Sequence, residues 1–192
     1  MKKTKILIIL GHPLAESFCG SLAENYIKGA QKENKEVKTI YLGDLKFDPV
    51  LRYGYSRKQA LEPDLVESQE KILWAEHIVL IYPTYWFSYP ALVKGFLDRI
   101  LLPSFAFKYK EGSSFPQRLL TGRSLEILVT MDGPPSFYKY IIGNFHKRIV
   151  RWTFAFCGIN LIRSTYFGSL KKSTQKQRKK WLLKTFSLAN KN

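Results

Sequence analysis

Cysteine is scarce, and the two present are poorly placed for chemistry. Cys19 and Cys157 lie far apart in a chain of 192 residues, with no CxxC spacing and no His cluster at metal-ligand intervals. Neither a zinc site nor a disulfide framework is indicated, and a reducing, cytoplasmic setting fits. Long apolar runs are lacking as well: nothing approaches the roughly 18 consecutive apolar residues of a membrane span, so no integral membrane association is expected. The opening MKKTKILIILGHP puts basic residues before an apolar core. That core runs only from Ile6 to Leu10 and enters a Gly-His-Pro turn, which suits a strand better than a signal peptide. The glycines spell neither GxGxxG nor GxxxxGK[ST], so the dinucleotide fingerprint and the Walker loop are both absent.

Acid is missing altogether from Gly133 onward. That stretch holds thirteen of the 31 Lys and Arg, so of the formal charge of +16 the first 132 residues carry only about +3. Such asymmetry can mark contact with nucleic acid, an anionic membrane or an acidic protein. A basic pI is also common in enzymes that bind anions. The enzyme reading is preferred and no nucleic-acid partner is expected.

What is present is apolar and aromatic: 45% hydrophobic residues and 15% aromatic exclude general disorder. A chain of this length is expected to make a single domain, 1–192. Ile78 to Tyr82 is an unbroken apolar run, the signature of a parallel strand buried on both faces. It stops at Pro83, and Thr84-Tyr85-Trp86-Phe87-Ser88-Tyr89 follows, a loop with four aromatics closed by Pro90 at the start of a helix over about 91–101. Packing accounts for most aromatics, but apolar rings in a short surface loop are costly to expose unless something covers them.

Around that stretch the chain alternates. Lys5 to Leu10 reads as a first strand, and Ser17 as the N-cap of a helix through about Lys32, with Leu22, Tyr26, Ile27 and Ala30 inward. That helix start, after a strand and a turn, makes a potential anion site. Glu36 to Tyr41 reads as a second strand, and 43–57 as a long functional or interface loop. A helix over 64–74 turns Leu65, Ile72 and Leu73 inward. After the third strand and its helix comes an aromatic-rich loop, 103–117, with Gly112 at its tip. Leu125 to Met131 is a fourth strand. Ser136 is placed to cap one helix over about 137–156, which Gly158 ends. Asn160 to Phe167 is a fifth strand, and the last helix, about 174–188, turns Trp181, Leu182 and Phe186 inward and Lys176, Arg178, Lys179, Lys180 and Lys184 outward.

The pattern predicts an α/β fold: a flavodoxin-like three-layer sandwich with helices on both faces of a five-stranded parallel sheet of order 2-1-3-4-5. Ligands of such sheets bind beyond the carboxyl ends of the strands where the order reverses. Here that point lies between the first and third strands. It brings the 11–17 loop beside the 83–88 loop, with 131–138 on the far side.

Those loops carry a resemblance. Gly11-His12-Pro13 with Ser17-Phe18, Asp44-Leu45 with Phe47-Asp48-Pro49-Val50-Leu51, and Pro83 to Phe87 running into Pro90-Ala91-Leu92-Val93-Lys94-Gly95-Phe96 resemble the NAD(P)H:quinone oxidoreductase family of flavodoxin-like proteins. Phe105-Ala106-Phe107 and Cys157-Gly158 fit too. The resemblance implies a bound flavin, FMN in a chain this short with FAD as the alternative. It also implies reduction by NADH or NADPH, a flat quinone-like substrate and a homodimer. The cofactor-binding residues it implies are His12, Ser17, Phe18, Cys19, Pro83, Thr84, Tyr85, Trp86, Phe87, Thr130, Met131, Asp132, Gly133 and Tyr138. His12, Ser17 and Phe18 would hold the flavin phosphate, and Trp86 and Phe87 would lie near the ring.

Two departures stand out. The family's Thr-Thr-Gly-Gly is here Thr130-Met131-Asp132-Gly133. Its Tyr matches Tyr138, the catalytic candidate, but its catalytic His falls at Asn144, with His146 two places off. Proton donation by a His is therefore not carried over. Two other classes compete with the enzyme reading: a flavodoxin-like electron carrier, and a regulatory subunit docking to a membrane transporter through the basic C-terminal third. Carriers of the first kind tend to be acidic. Lys139, Lys147, Arg148 and Arg151, following Tyr138, are candidates to attract the phosphates of NAD(P)H.

Overall fold

The protein is described from a computed structural model, over residues 3–113, 115–141, 143 and 145–191. In chain order its elements are β1 (Lys5–Leu10), α1 (Phe18–Lys32), β2 (Glu36–Tyr41), α2 (Pro63–Trp74), β3 (His77–Pro83), α3 (Ala91–Ile100), β4 (Phe107–Tyr109), β5 (Pro116–Arg118), β6 (Arg123–Thr130), α4 (Phe145–Cys157), β7 (Ile159–Phe167) and α5 (Gln175–Leu188). β2, β1, β3, β6 and β7 lie side by side in that order, and every pairing is parallel. With the two short strands β4 and β5 set aside, this is the expected 2-1-3-4-5 order.

β3 is central, and all seven of its residues are buried. Side chains alternate across the sheet: Leu7, Ile9, Ile78, Leu80 and Tyr82 pack in one layer with Val93 and Phe96 of α3 and Val150 and Phe154 of α4. Ile6, Ile8, Leu10, Val79 and Ile81 pack in the other with Leu22, Ala23 and Tyr26 of α1. Each large aliphatic buried this way stabilises the fold by about 1.5–3 kcal/mol, which is why β1 and β3 carry almost no polar residues.

Three local expectations are corrected. Leu73 does not turn inward: it is 51% exposed, because the buried stripe of α2 runs through Leu65, Ser68 and Ile72. The 103–117 segment is not wholly loop, since β4 and β5 form a small antiparallel hairpin whose turn includes Gly112 in a left-handed conformation. The single helix over 137–156 is two pieces, a π-type turn at Phe137–Ile141 and then α4. Gly143 adopts φ +71° between them, and its carbonyl accepts from Arg148 Nε at 2.8 Å. A left-handed glycine ends a helix. Gly158, at φ +99°, closes α4 as expected.

The long 43–62 segment is anchored by one fully buried cation. Arg99 of α3 donates to the carbonyls of Asp48 and Ala60 and to the Glu62 carboxylate, with Nη2 2.8 Å from Oε2. Glu62 Oε1 also accepts from the Asp48 amide at 3.1 Å. At Gly95 a Cβ would stand 2.4 Å from the Pro49 Cβ, so only glycine lets α3 press this close to the segment.

A second buried polar group lies under α1 and α5. Glu126 of β6 accepts from the Tyr26 hydroxyl at 3.2 Å and from Arg163 at 3.1 Å. His77 sits 2.7 Å from Ser124 Oγ. Although the nearest Glu126 oxygen is 3.9 Å from its Nε2, burial, with help from Arg163 and Lys35, lowers the His77 pKa to about 4.

Two outcomes follow. Arg99→Met should cost about 2 kcal/mol, the scale of losing hydrogen bonds from a charged donor, and should speed proteolytic cutting within 43–62. Thermal denaturation and limited proteolysis together check it. For His77, the folded pKa lies below the unfolded value of 6.5, so the stability it carries is complete above pH 6.5 and is lost as pH falls towards 4. Between those limits the wild type should lose on the order of 3 kcal/mol more than a His77→Gln variant. Denaturant midpoints measured at several pH values would show the steeper wild-type slope.

Candidate functional site

The carboxyl ends of β1, β3 and β6 are tied together by backbone bonds. Gly11 N–H donates to Ile81 O at 2.7 Å, Thr84 N–H to Thr130 O at 2.8 Å, and Met131 N–H to Phe167 O at 2.9 Å. The loops that leave these strands therefore start from fixed points. A Cβ at Gly11 would meet Val93 Cγ2 at 2.4 Å, so the turn out of β1 needs glycine to pass beneath α3.

Between these ends lies a cavity of about 320 Å³. It is lined by His12, Ser17, Phe18, Cys19, Pro83, Thr84, Tyr85, Thr130, Met131 and Asp132, ten of the residues singled out from sequence, together with Leu170, Lys171 and Arg178. Ser17 is the N-cap of α1, and its Oγ accepts from Gly20 N–H at 3.2 Å, which leaves the hydroxyl proton free to donate. The first N–H groups of α1 lack intrahelical acceptors and point towards this end. His12 Nδ1 accepts from Leu14 N–H at 3.0 Å, fixing the ring in the turn, and burial lowers its pKa. Cys19 Sγ is 3.3 Å from Thr130 Oγ1, and burial pushes the thiol up to about 12. It is an apolar wall here, not a nucleophile.

The cations of this cavity were missed or misplaced. Arg178, expected to face outward, is half-buried: Nε donates to Ser173 Oγ at 2.8 Å, Nη2 to Leu170 O at 3.2 Å, and the guanidinium lies 5.9 Å from the Phe18 ring centroid. Periodicity carried the signal, since Arg178 precedes the inward Trp181 and Leu182 by three and four positions and shares their face. Lys171 pairs with Asp132 at 3.1 Å. No sequence pattern marked Lys171, because it sits in a short 3₁₀ turn, Leu170–Lys172, after β7.

Beside the cavity stands an aromatic group. Tyr85 and Ser88 exchange backbone bonds of 2.9 and 3.0 Å across a two-residue turn. Its central residues, Trp86 and Phe87, adopt φ +46° and +63°. Such a turn ordinarily takes Asn-Gly, and each large side chain held left-handed costs about 1–3 kcal/mol. The N–H groups of Trp86 and Phe87 have no acceptor among the described residues, and Trp86 is 94% exposed. Trp86, Phe87, Gly133 and Tyr138 do not line the cavity itself. The Phe87 ring instead lies 6.0 Å from that of Tyr138, which packs against Gly133. Burial, with the Asp132 charge, raises the Tyr138 pKa.

His146 also belongs to this group. It is buried, with Nε2 3.1 Å from Thr84 Oγ1, Nδ1 3.4 Å from the Tyr82 hydroxyl, and its ring 6.0 Å from that of Tyr138. Asn144, where the resemblance would put a His, lies outside the described residues. Lys139, Lys147, Arg148 and Arg151 are exposed around this corner.

A larger cavity, about 550 Å³, opens elsewhere, between α3, α4 and the β4–β5 hairpin. It is walled by Leu97, Leu101, Phe107, Tyr109 and Phe156, and its charges are Lys94 and Asp98, paired with each other. Its cation is already paired one turn along the same helix and most of its wall is apolar, so the smaller cavity, with Arg178 and the start of α1, is the better seat for anionic chemistry. No helix among the described residues is long and apolar enough to cross a membrane.

Comparison with known proteins places this geometry in context. A mouse ribosyldihydronicotinamide dehydrogenase [quinone] is 28% identical over 207 residues, spanning 93% of this chain and 87% of its own. A Haemophilus influenzae protein named as an uncharacterized NAD(P)H oxidoreductase is 28% identical over 180 residues, spanning 90% and 88%. The crystal structure of Smu.1420 from Streptococcus mutans superposes with a TM-score of 0.85 at 29% identity, covering 98% of this chain and all of that one. The resemblance carried by the three loops is borne out by relatives bearing these names. Residues 4–185 match the family described by a flavodoxin-like fold, and the chain belongs to that family.

Proposed function

We propose that the protein is a flavin-dependent NAD(P)H oxidoreductase that reduces quinones or similar flat electrophilic acceptors by two-electron transfer. One observation carries the reading: at the switch point of the sheet, a helix N-terminus and two cations share a cavity, and beside it stands a strained aromatic turn with two N–H groups that have no acceptor among the described residues. This donor set fits a phosphorylated ligand with a flat, hydrogen-bonding ring. Strain of that kind persists where it serves a ligand.

When bound, a flavin would supply the redox chemistry, taking hydride from NAD(P)H and delivering it to the acceptor. The protein's part is to bind and orient. Ser17 donates its hydroxyl proton, and the amides of Phe18 and Cys19 their N–H, to the phosphate, with His12 beside them and Arg178 and Lys171 adding charge-assisted contacts. Pro83, Thr84 and Tyr85 wall the cavity, and the N–H groups of Trp86 and Phe87 meet the edge of the ring. Thr130, Met131, Asp132 and Gly133 close the far side, and Tyr138 stands where an acceptor would stack. FMN is the form this cavity seats most simply, because FAD needs further surface for an adenosine. The electron-carrier and regulatory-subunit readings lack an observation of this kind in their favour.

The functional unit we propose is a homodimer. Trp152 of α4 is 73% exposed, Phe156 one turn further along the helix is exposed too, and Phe156 and the exposed Tyr109 both line the larger cavity. An aromatic face of this sort is normally covered by a partner, and a second copy is the occupant the resemblance implies.

Purified protein should be yellow, release FMN on heating as identified by mass, and oxidise NADPH or NADH steadily when a quinone is supplied. A protein that neither carries nor takes up a flavin would refute the proposal. Ser17→Asp is the sharpest variant, since Asp is as good an N-cap as Ser yet sets a negative charge against the phosphate. Flavin affinity should fall at least about tenfold, some 1.4 kcal/mol, with Tm little changed. Trp152→Glu should shift the protein from dimer to monomer in sedimentation equilibrium while leaving its circular dichroism intact.

A further inference from the structure

The turn at Trp86 and Phe87 holds two large side chains in a left-handed conformation, and a conformation of that cost persists only when its surroundings over-determine it. The paired bonds of Tyr85 and Ser88 close the turn, and Thr84 N–H, donating to Thr130 O, roots it on the sheet. The side chains at its two flanks fix the rest of its orientation. On one, Thr84 Oγ1 lies 3.1 Å from His146 Nε2. On the other, the Phe87 ring lies 6.0 Å from the Tyr138 ring, which in turn lies 6.0 Å from the His146 ring. Thr84, His146, Tyr138 and Phe87 thus close a circuit, and its hub is a side chain of α4.

We propose that His146 is a positioning residue that fastens the strained turn at both flanks, through a hydrogen bond to Thr84 and through ring packing on Tyr138. Nothing in the resemblance assigns this role. The chemistry of imidazole suits it. A neutral ring has one N–H and one lone pair, and its two polar neighbours, the Tyr82 and Thr84 hydroxyls, can each donate or accept. Tyr82, Thr84 and Tyr138 are the groups whose contacts with the ring are resolved, and no carboxylate is among them. Burial accordingly lowers the His146 pKa to about 4, and the ring stays neutral at working pH. It holds the turn as a fixed hydrogen-bonding wedge. The consequence for catalysis, that the Trp86 and Phe87 N–H groups stay aimed at a flavin, rests on the function proposed above. The fastening does not.

The test is amide hydrogen exchange by NMR on flavin-free protein, read at Thr84, Tyr85 and Ser88, with the amides of β1 as reference. In His146→Leu the three loop amides should exchange about tenfold faster, the scale of one lost hydrogen bond, while β1 is unchanged. His146→Asn, which can still bond Thr84, should recover part of the protection. Thr84→Val approaches the contact from a half-exposed residue and should speed the same amides, with the double variant no faster than His146→Leu alone. Unchanged loop exchange, or loop and β1 amides rising together, would overturn the proposal and make His146 ordinary core. Flavin affinity, measured separately, should fall about tenfold in His146→Leu. If even the wild type binds no flavin, the function fails while the exchange result still decides the fastening.

Discussion

Burial of β3 on both faces sets the rest of the architecture. A strand with apolar side chains in two layers must have helices above and below it, and right-handed crossovers then place β1 and β6 at its sides. All three strands end at one edge, tied by Gly11 to Ile81 and by Thr84 to Thr130. The loops beyond that edge begin from positions that the core has already decided. Binding chemistry can therefore be carried by loops without being imprecise, because their roots move only if the sheet does.

Polar groups buried in this fold act as fasteners at places the apolar core does not reach. Arg99 holds a long, turn-rich segment that has little apolar surface of its own, by satisfying two carbonyls and a carboxylate at once. Glu126 does the corresponding work beneath α1 and α5, gathering Tyr26 and Arg163. His146 belongs to the same class but stands at the functional end. In each case one buried side chain with several hydrogen-bonding positions gathers groups from separate elements, and removing it breaks more than one of those bonds at once.

Charge divides along the chain in a way the structure makes sense of. Most of the cations of the acid-free C-terminal third are exposed, as on the outer face of α5, where Lys176, Lys179, Lys180 and Lys184 meet solvent. Arg178, on the inner side of the same helix, bends back over Phe18 and into the cavity at the start of α1. A positive helix terminus would repel a guanidinium in isolation. The two share one cavity, the one to which the proposed phosphate is assigned, with Asp132 paired to Lys171 at its wall.

The sheet, its strand order and the helix that Ser17 caps were legible in the residues, because apolar periodicity and capping are local and strong. So were the cavity's lining residues in the 11–17, 83–88 and 131–138 loops, since strand ends in a parallel sheet of known order must converge, whereas Phe18, Cys19 and Thr130 came with the family resemblance. Leu73, the break at Gly143 and the β4–β5 hairpin were not read, as each depends on which of two plausible local patterns the tertiary packing selects. Arg178 was readable from its spacing to Trp181 and Leu182 but was masked by the run of lysines around it. His146 could be found only in three dimensions. Its role arises from α4 beginning after a left-handed glycine, which sets the register that carries the imidazole between Tyr82, Thr84 and Tyr138. Local sequence determined which segments are strands and which helices. Only the assembled packing decided where one helix restarts, and with it which side chains meet the site.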